Sequence, residues 1–175
     1  MLSRITSTVR ILLLTSALAL GVALSPALAD KTHEFPKEKA IFTISYPDSW
    51  TEVYKDEEYV EYGVKDEISI GAWILKDYKD IKEAANAAGE EIAAYVKEFK
   101  VSEKDAEIIK VNGMDMILVE GSGIDKESKK PLQVQVAFFS PDGKTICALL
   151  YYGVKGVAEK YSDDVVKIVR SVKAK

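Results

Sequence analysis

Cysteine and histidine are almost absent from this chain, which has one of each, Cys147 and His33, in 175 residues. A single cysteine excludes an intrachain disulfide framework. None is needed, because a chain of about 150 residues buries roughly 70% of its unfolded surface. Cys147 stands in the most apolar stretch and is expected to be a small buried side chain, not a nucleophile or an intermolecular disulfide partner. His33 beside Glu34 offers two of the about four protein ligands of a structural metal site, with no others at fixed spacing. No metal and no other cofactor is therefore expected. There is no Gly-x-Ser-x-Gly, no His-Glu-x-x-His and no Cys-x-x-Cys. Gly121-Ser122-Gly123 lacks the Gly-Lys-Ser/Thr of a phosphate loop. The chain is not expected to be an enzyme. A hydrolase built on two facing carboxylates stays open, because such a pair is recognised only by geometry.

Long apolar runs are also missing beyond the first 29 residues. Arg4 and Arg10 precede an apolar run over residues 11–24, and Ser25-Pro26-Ala27-Leu28-Ala29 follows. A basic flank, a short apolar core and an Ala-x-Ala ending predict a secretory signal cleaved after Ala29. The alternative is an uncleaved anchor, since about 20 apolar residues suffice to span a membrane. After cleavage no integral span is expected, and the protein would be periplasmic or secreted. Loss of the two arginines leaves 22 basic residues against 28 acidic ones, a net charge of −6. Such a domain repels nucleic acid and anionic membrane alike, so neither is an expected partner.

What the sequence has in plenty is strand pattern. Residues 131–153, PLQVQVAFFSPDGKTICALLYYG, read as two strands around the turn Pro141-Asp142-Gly143-Lys144. In the first, Leu132, Val134, Val136 and Phe138 share one face, with Gln133, Gln135, Ala137 and Phe139 on the other. The second, residues 145–152, is apolar on both faces, which predicts a central strand covered on each side. Residues 41–46 alternate as a half-buried strand, ended by Pro47-Asp48-Ser49, with Trp50 expected to plug the core edge. Residues 51–55 fit a short strand, and 59–64 with 68–75 an antiparallel pair. Asn112-Gly113 marks a hairpin between 106–111 and 114–121. Residues 121–130 are expected to be a mobile charged loop, and residues 30–39 a flexible lead-in.

Two helices are predicted. Asp80 and Glu83 give a near capping box, and Ile81, Ala84, Ala85, Ala88, Ile92, Tyr95, Val96 and Phe99 follow at helical spacing. The second spans residues 157–173, with Ala158, Tyr161, Val165, Ile168, Val169 and Val172 on one side and a basic C-terminal end. The fold class expected is α+β: an antiparallel sheet with helices on both faces, in a single domain over residues 40–175.

The motif Phe42-Thr43-Ile44-Ser45-Tyr46-Pro47-Asp48-Ser49-Trp50 resembles the opening of the PsbP/Mog-like superfamily. The close, Tyr151, Tyr161 and Val165-Val166-Lys167-Ile168-Val169-Arg170-Ser171-Val172, resembles its terminal helix. The resemblance covers residues 40–173 and implies an antiparallel sheet between helices, as in extrinsic photosystem proteins and in secreted or periplasmic DcrB- and LpqN-type proteins. Most of these act as binding or assembly factors. No functional residue carries over, because the family's metal and subunit contacts have no match here beyond His33-Glu34.

Two surfaces are candidates for binding, although the acidic one also reads as a simply solvated face and Trp50 as a core plug. Asp56, Glu57, Glu58, Tyr59, Glu61 and Tyr62 mix carboxylates with tyrosines, as recognition surfaces do, and are assigned to a protein partner in the cell envelope. A calcium loop is not expected there, since the ordered ligand spacing with a central glycine is absent. The alternative function is a small-ligand carrier, with a pocket between sheet and helix lined by Trp50 and Trp73 and a volume of about 300 Å³ or more.

Overall fold

A computed structural model describes residues 30–102 and 106–175; the predicted signal segment, residues 1–29, lies outside the described residues. The chain is α+β, with two antiparallel sheets and two α-helices among the described residues. The small sheet has the order β1-β2-β11, from Lys31–Phe35, Phe42–Tyr46 and Lys173–Ala174. The large sheet runs β3 (Thr51–Lys55), β4 (Tyr59–Val64), β5 (Ile68–Leu75), β10 (Ile146–Val154), β9 (Pro131–Phe139) and β8 (Met114–Asp125). Beyond β8, two short strands share its outer edge. β7 (Glu107–Val111) pairs with residues 114–118, and β6 (Val96–Val101) with residues 121–125.

β10 lies at the centre, bonded to β5 and β9. Cys147 and Leu149 join one apolar cluster with Phe42, Ile44, Trp50, Val165 and Ile168. Ile146, Ala148 and Leu150 join a second with Ala84, Ala88 and Ile92. The strand is thus covered on both faces, as its doubly apolar pattern requires. One cover is the helix α1 (Ile81–Tyr95); the other combines the small sheet with α2 (Ser162–Ser171), so a helix on each face is not the whole description. Cys147 is fully enclosed, and burial pushes its thiol up to about 12, which keeps it protonated and inert.

Four expectations change at element boundaries. The lead-in is not loose: residues 31–35 form β1, paired along its whole length with β2, because Phe35 is buried against Phe42. The first helix stops at Tyr95 instead of reaching Phe99. Val96 takes extended backbone as its C-cap, and Val96 and Phe99 reach the same cluster from β6. Residues 121–125 are strand, not loop. A Cβ on Gly121 or Gly123 would run into the Phe99 ring or the Val96 side chain, so these glycines mark a close approach between strands. The last helix is shorter than 157–173: a 3-10 turn, Ala158–Tyr161, precedes α2, and Lys173 pairs with Thr43 of β2.

Four hydrogen bonds set the position of α2. Trp50 Nε1–H donates to Asp164 Oδ2 at 3.3 Å. The Ser45 N–H donates to Ser171 Oγ at 2.8 Å, so the serine of the terminal motif stitches the helix end to β2. The Asn112 amide donates to the carbonyls of Arg170 and Val172, both at 2.7 Å. Asn112 can reach them because, with Gly113, it forms the β7–β8 turn at φ 48° and 86°.

Leu149 and Leu150, 4% and 2% exposed on opposite faces of β10, test the two-sided core. Leu149→Ala and Leu150→Ala are each expected to lower unfolding free energy by about 2–5 kcal/mol in urea titrations. A loss below about 0.5 kcal/mol at either position is the surface value and would mean that its face is uncovered.

Candidate functional site

α2 has ten residues and spans only about 15 Å, so it covers part of the sheet and leaves a recess beside it. The recess is a cavity of about 320 Å³. Its floor is Ile70 of β5, Leu118 of β8, Gln135 and Ala137 of β9, and Leu149 and Tyr151 of β10. Val165, Val166, Val169 and Arg170 of α2 form one wall, and residues 109–112 at the β7–β8 hairpin the other. The Asn112 amide, bonded to the last carbonyls of α2, holds these two walls together.

The lining is mainly aliphatic and contains no carboxylate, histidine, serine or cysteine. Its charged members are Lys110 and Arg170, both exposed. Lys110 pairs with Asp115 at 3.3 Å, an exposed contact that contributes about 0–1 kcal/mol. Gln135 Nε2 donates to Glu120 Oε1 at 3.0 Å. Burial, aided by the charge of Glu159, pushes the Tyr151 hydroxyl up to about 12, so it stays a neutral phenol. Its ring lies along β10 over Gly153, where a Cβ would strike the hydroxyl.

The residues assigned to a partner surface do not share a face. Strand alternation sends Val60 and Tyr62 toward the α2 side, while Tyr59 packs edge-on to Trp73 on the α1 side, 6.5 Å between ring centres. Tyr62 is 3% exposed, stacks on Tyr46 at 4.5 Å and donates its hydroxyl to Glu52 at 2.9 Å. Tyr59 donates to Glu61 at 3.1 Å, and Glu58 pairs with Lys76. Asp56 accepts the N–H groups of Glu58 and Tyr59 at 2.8 and 2.7 Å. Burial alone would raise its carboxyl, but those N–H groups and the Tyr54 hydroxyl outweigh it and hold the carboxyl below its usual range. What stays exposed is Asp56 and Glu57 at the hairpin tip, with Val53 and Tyr54 on β3.

The two indoles are also apart. Trp50 is 1% exposed within the α2-side cluster, Trp73 is half-buried on the α1 side, and neither lines the cavity. A pocket between sheet and helix exists, but on other residues. One signal for it stood in the sequence: Gln135 shares an inward face with Ala137 and Phe139, and a polar residue at such a position marks where core gives way to opening.

His33 and Glu34 diverge along β1. Glu34 pairs with Lys175 at 2.6 Å, while the His33 ring sits 5.1 Å from Tyr62 and 5.9 Å from Tyr46. Among the described residues no group of three or more His, Cys, Asp or Glu side chains could hold a metal. Nor is any described helix long and apolar enough to cross a membrane.

Solved structures supply the comparison. The chain superposes on LpqN of Mycobacterium tuberculosis, a protein involved in cell envelope biogenesis, with a TM-score of 0.54 and 14% identity, covering 82% of this chain and 90% of that one. It superposes on the cyanobacterial PsbP of Synechocystis with a TM-score of 0.55 and 12% identity, covering 90% and 99%. The chain has the fold of PsbP and LpqN. A Bacteroides thetaiotaomicron protein gives a TM-score of 0.56 at 16% identity over 83% of this chain; there the chain spans about half, 48%, of the longer molecule. No family model and no curated protein matches.

His33 carries a pH prediction. Its Nε2 is buried without a hydrogen-bond partner, and burial, with Lys55 and Lys31 nearby, lowers its pKa from 6.5 despite the opposing charge of Glu52. The unfolded chain therefore takes the proton first as pH falls. The stability His33 contributes is full above the unfolded value of 6.5 and is lost below it. Between pH of about 7.5 and about 5, the urea midpoint is expected to fall more steeply in the unaltered protein than in His33→Gln. Equal slopes would overturn the assignment.

Proposed function

We propose that this chain is a non-enzymatic accessory protein that works in the periplasm or as a secreted protein, by binding a small apolar ligand in the cavity under α2. The cavity is the observation that carries the reading. At about 320 Å³ it falls at the low end of small-ligand sites, about 300–1,000 Å³, and its aliphatic lining offers no nucleophile–base pair. The compartment is supported by the signal pattern of residues 1–29 and by the likeness to LpqN, itself involved in envelope biogenesis.

The test is uptake of a neutral fluorescent probe, N-phenyl-1-naphthylamine, by the mature protein. Saturable enhancement is expected, and Ala137→Leu on the floor and Val169→Trp on the helical wall are each expected to weaken it by about tenfold or more while thermal unfolding stays cooperative. No saturable uptake, or uptake unchanged in both folded variants, would overturn the reading.

A second reading, docking of a cell-envelope protein, is supported by the β3–β4 hairpin. There Val53, 61% exposed, and Tyr54 stand beside Asp56 and Glu57 on the sheet's edge strand. Exposed edges left unprotected invite pairing with another chain, and the carboxylates suit a basic partner. Cross-linking in the native host is expected to yield a partner that is lost in Asp56→Lys/Glu57→Lys. Retention of every cross-linked protein would remove this surface.

A further inference from the structure

The stripe of α1 that meets the sheet carries Ala84, Ala88, Glu91 and Tyr95, at i, i+4, i+7 and i+11. The first two are 0% and 2% exposed, but Tyr95 is 59% exposed and Glu91 is exposed as well. Over its last two turns the helix thus presents a carboxylate and a phenol where it no longer covers the sheet. On the same sheet face, Tyr59 stands opposite Trp73, Glu61 opposite Gly71, and Tyr54 opposite Glu61. A Cβ on Gly71 would strike the Tyr59 hydroxyl, so that ring lies across β5. Tyr54 and Tyr59 are tilted rings 6.0 Å apart. Tyr152 of β10 joins the two banks. Burial first, then the charges of Glu61 and Glu91, raise its hydroxyl above the usual range, and Tyr95 adds to them.

Charge on this face has one sign. Glu61 is half-buried, accepts the Tyr59 hydroxyl and forms no ion pair among the described residues. Lys76 is spent on Glu58, and Lys126 on the Ala93 carbonyl at 2.7 Å. Lys55 stands opposite Val60, on the other face. A guanidinium is the group that both stacks on aromatic rings and pairs with a carboxylate. One bank is also the sheet's edge strand, β3, exposed at all five positions. An extended segment paired with it sends alternate side chains over this face.

From this arrangement we infer that the docked partner carries an arginine in an extended segment beside β3, its guanidinium against Glu61 among Tyr54, Tyr59 and Tyr152, with Glu91 and Tyr95 flanking it from α1. The inference rests on the hairpin-docking reading above and adds the chemistry of the partner. Two other occupants fit less well. A free ammonium ion gains no enclosure on so open a face, and a neutral glycan would stack on the rings but leave Glu61 without a counter-charge.

The probes are acetyl-Gly-Arg-Gly-Arg-Gly amide and its lysine and citrulline counterparts, the last of the same shape without the charge. Titrated into the mature protein at low salt, the arginine peptide is expected to shift the amide resonances of Glu61, Trp73 and Tyr95 saturably. It is expected to bind about tenfold more tightly than the citrulline peptide, with the lysine peptide between them. Glu61→Gln, which keeps an acceptor for Tyr59, and Tyr95→Ala are each expected to weaken it by about fivefold while thermal unfolding stays cooperative. Equal affinity for the arginine and citrulline peptides, no saturable shift from any of them, or unchanged affinity in both variants would overturn the inference. Chitotriose moving these resonances where the arginine peptide does not would assign the face to a glycan and overturn it too. In the native host, a cross-linked partner lost in Asp56→Lys/Glu57→Lys but kept in Glu61→Gln/Tyr95→Ala would leave hairpin docking standing without the arginine contact. Retention in both would remove the two together.

Discussion

Burial of β10 on both faces is the constraint from which the rest of this fold follows. A strand whose neighbours β5 and β9 satisfy its backbone, and whose side chains are apolar above and below, needs two separate covers. α1 supplies one through Ala84, Ala88 and Ile92, small enough at the first two positions to bring the helix close. The other face receives a composite cover, the small sheet together with α2. The recess lies on this side, beside α2.

The holding points are identifiable. Trp50 fastens the first turn of α2, Ser171 fastens its end to β2, and Asn112 fastens the same end to the β7–β8 hairpin. Two of these three residues belong to the motifs that resemble the PsbP-type opening and close, and their observed role is architectural. Leaving Ser45 N–H or the Trp50 indole N–H without its acceptor would cost about 1–3 kcal/mol. Trp50 and Ser171 therefore fix where α2 sits in this chain. These two side chains stay outside the recess, whereas Tyr151, Val165, Val166, Val169 and Arg170 of the closing motif line it.

The central hairpin, both turns with their positive-φ residues and the existence of both helices were legible because each rests on local chemistry: periodicity, Asn-Gly, Asp-x-x-Glu. Boundaries were less so, where one pattern serves two elements. Val96 and Phe99 continue a helical spacing from Ile92, yet they meet the same cluster from a strand, and nothing local to residues 92–99 distinguishes the two. Gly121 and Gly123 read as loop because the reason for them, the Phe99 ring and Val96, lies on another strand. The lead-in was misread for the same reason: the order of residues 31–35 comes from pairing with β2. The tyrosines near the acidic stretch were assigned by composition, whereas strand alternation sends Tyr59 and Tyr62 to opposite faces.

The cavity illustrates what single-sequence patterning leaves out. Its floor comes from β5, β8, β9 and β10 and its walls from α2 and a hairpin, so no contiguous stretch contains it. Only the exceptions to the core pattern point there. Gln135 follows Gln133 on a face whose inner part carries Ala137 and Phe139, and Tyr151 ends the doubly apolar run with a hydroxyl. A sheet face bearing such polar residues under a complete cover would have to satisfy them within the core. Under a cover held at its ends they can remain beside an opening, with Gln135 donating to Glu120 and the phenol kept neutral by burial. How much of this sheet face stays open is set by how far α2 extends across it, a length that Ser171 and Val172 fix by turning the chain back into β11.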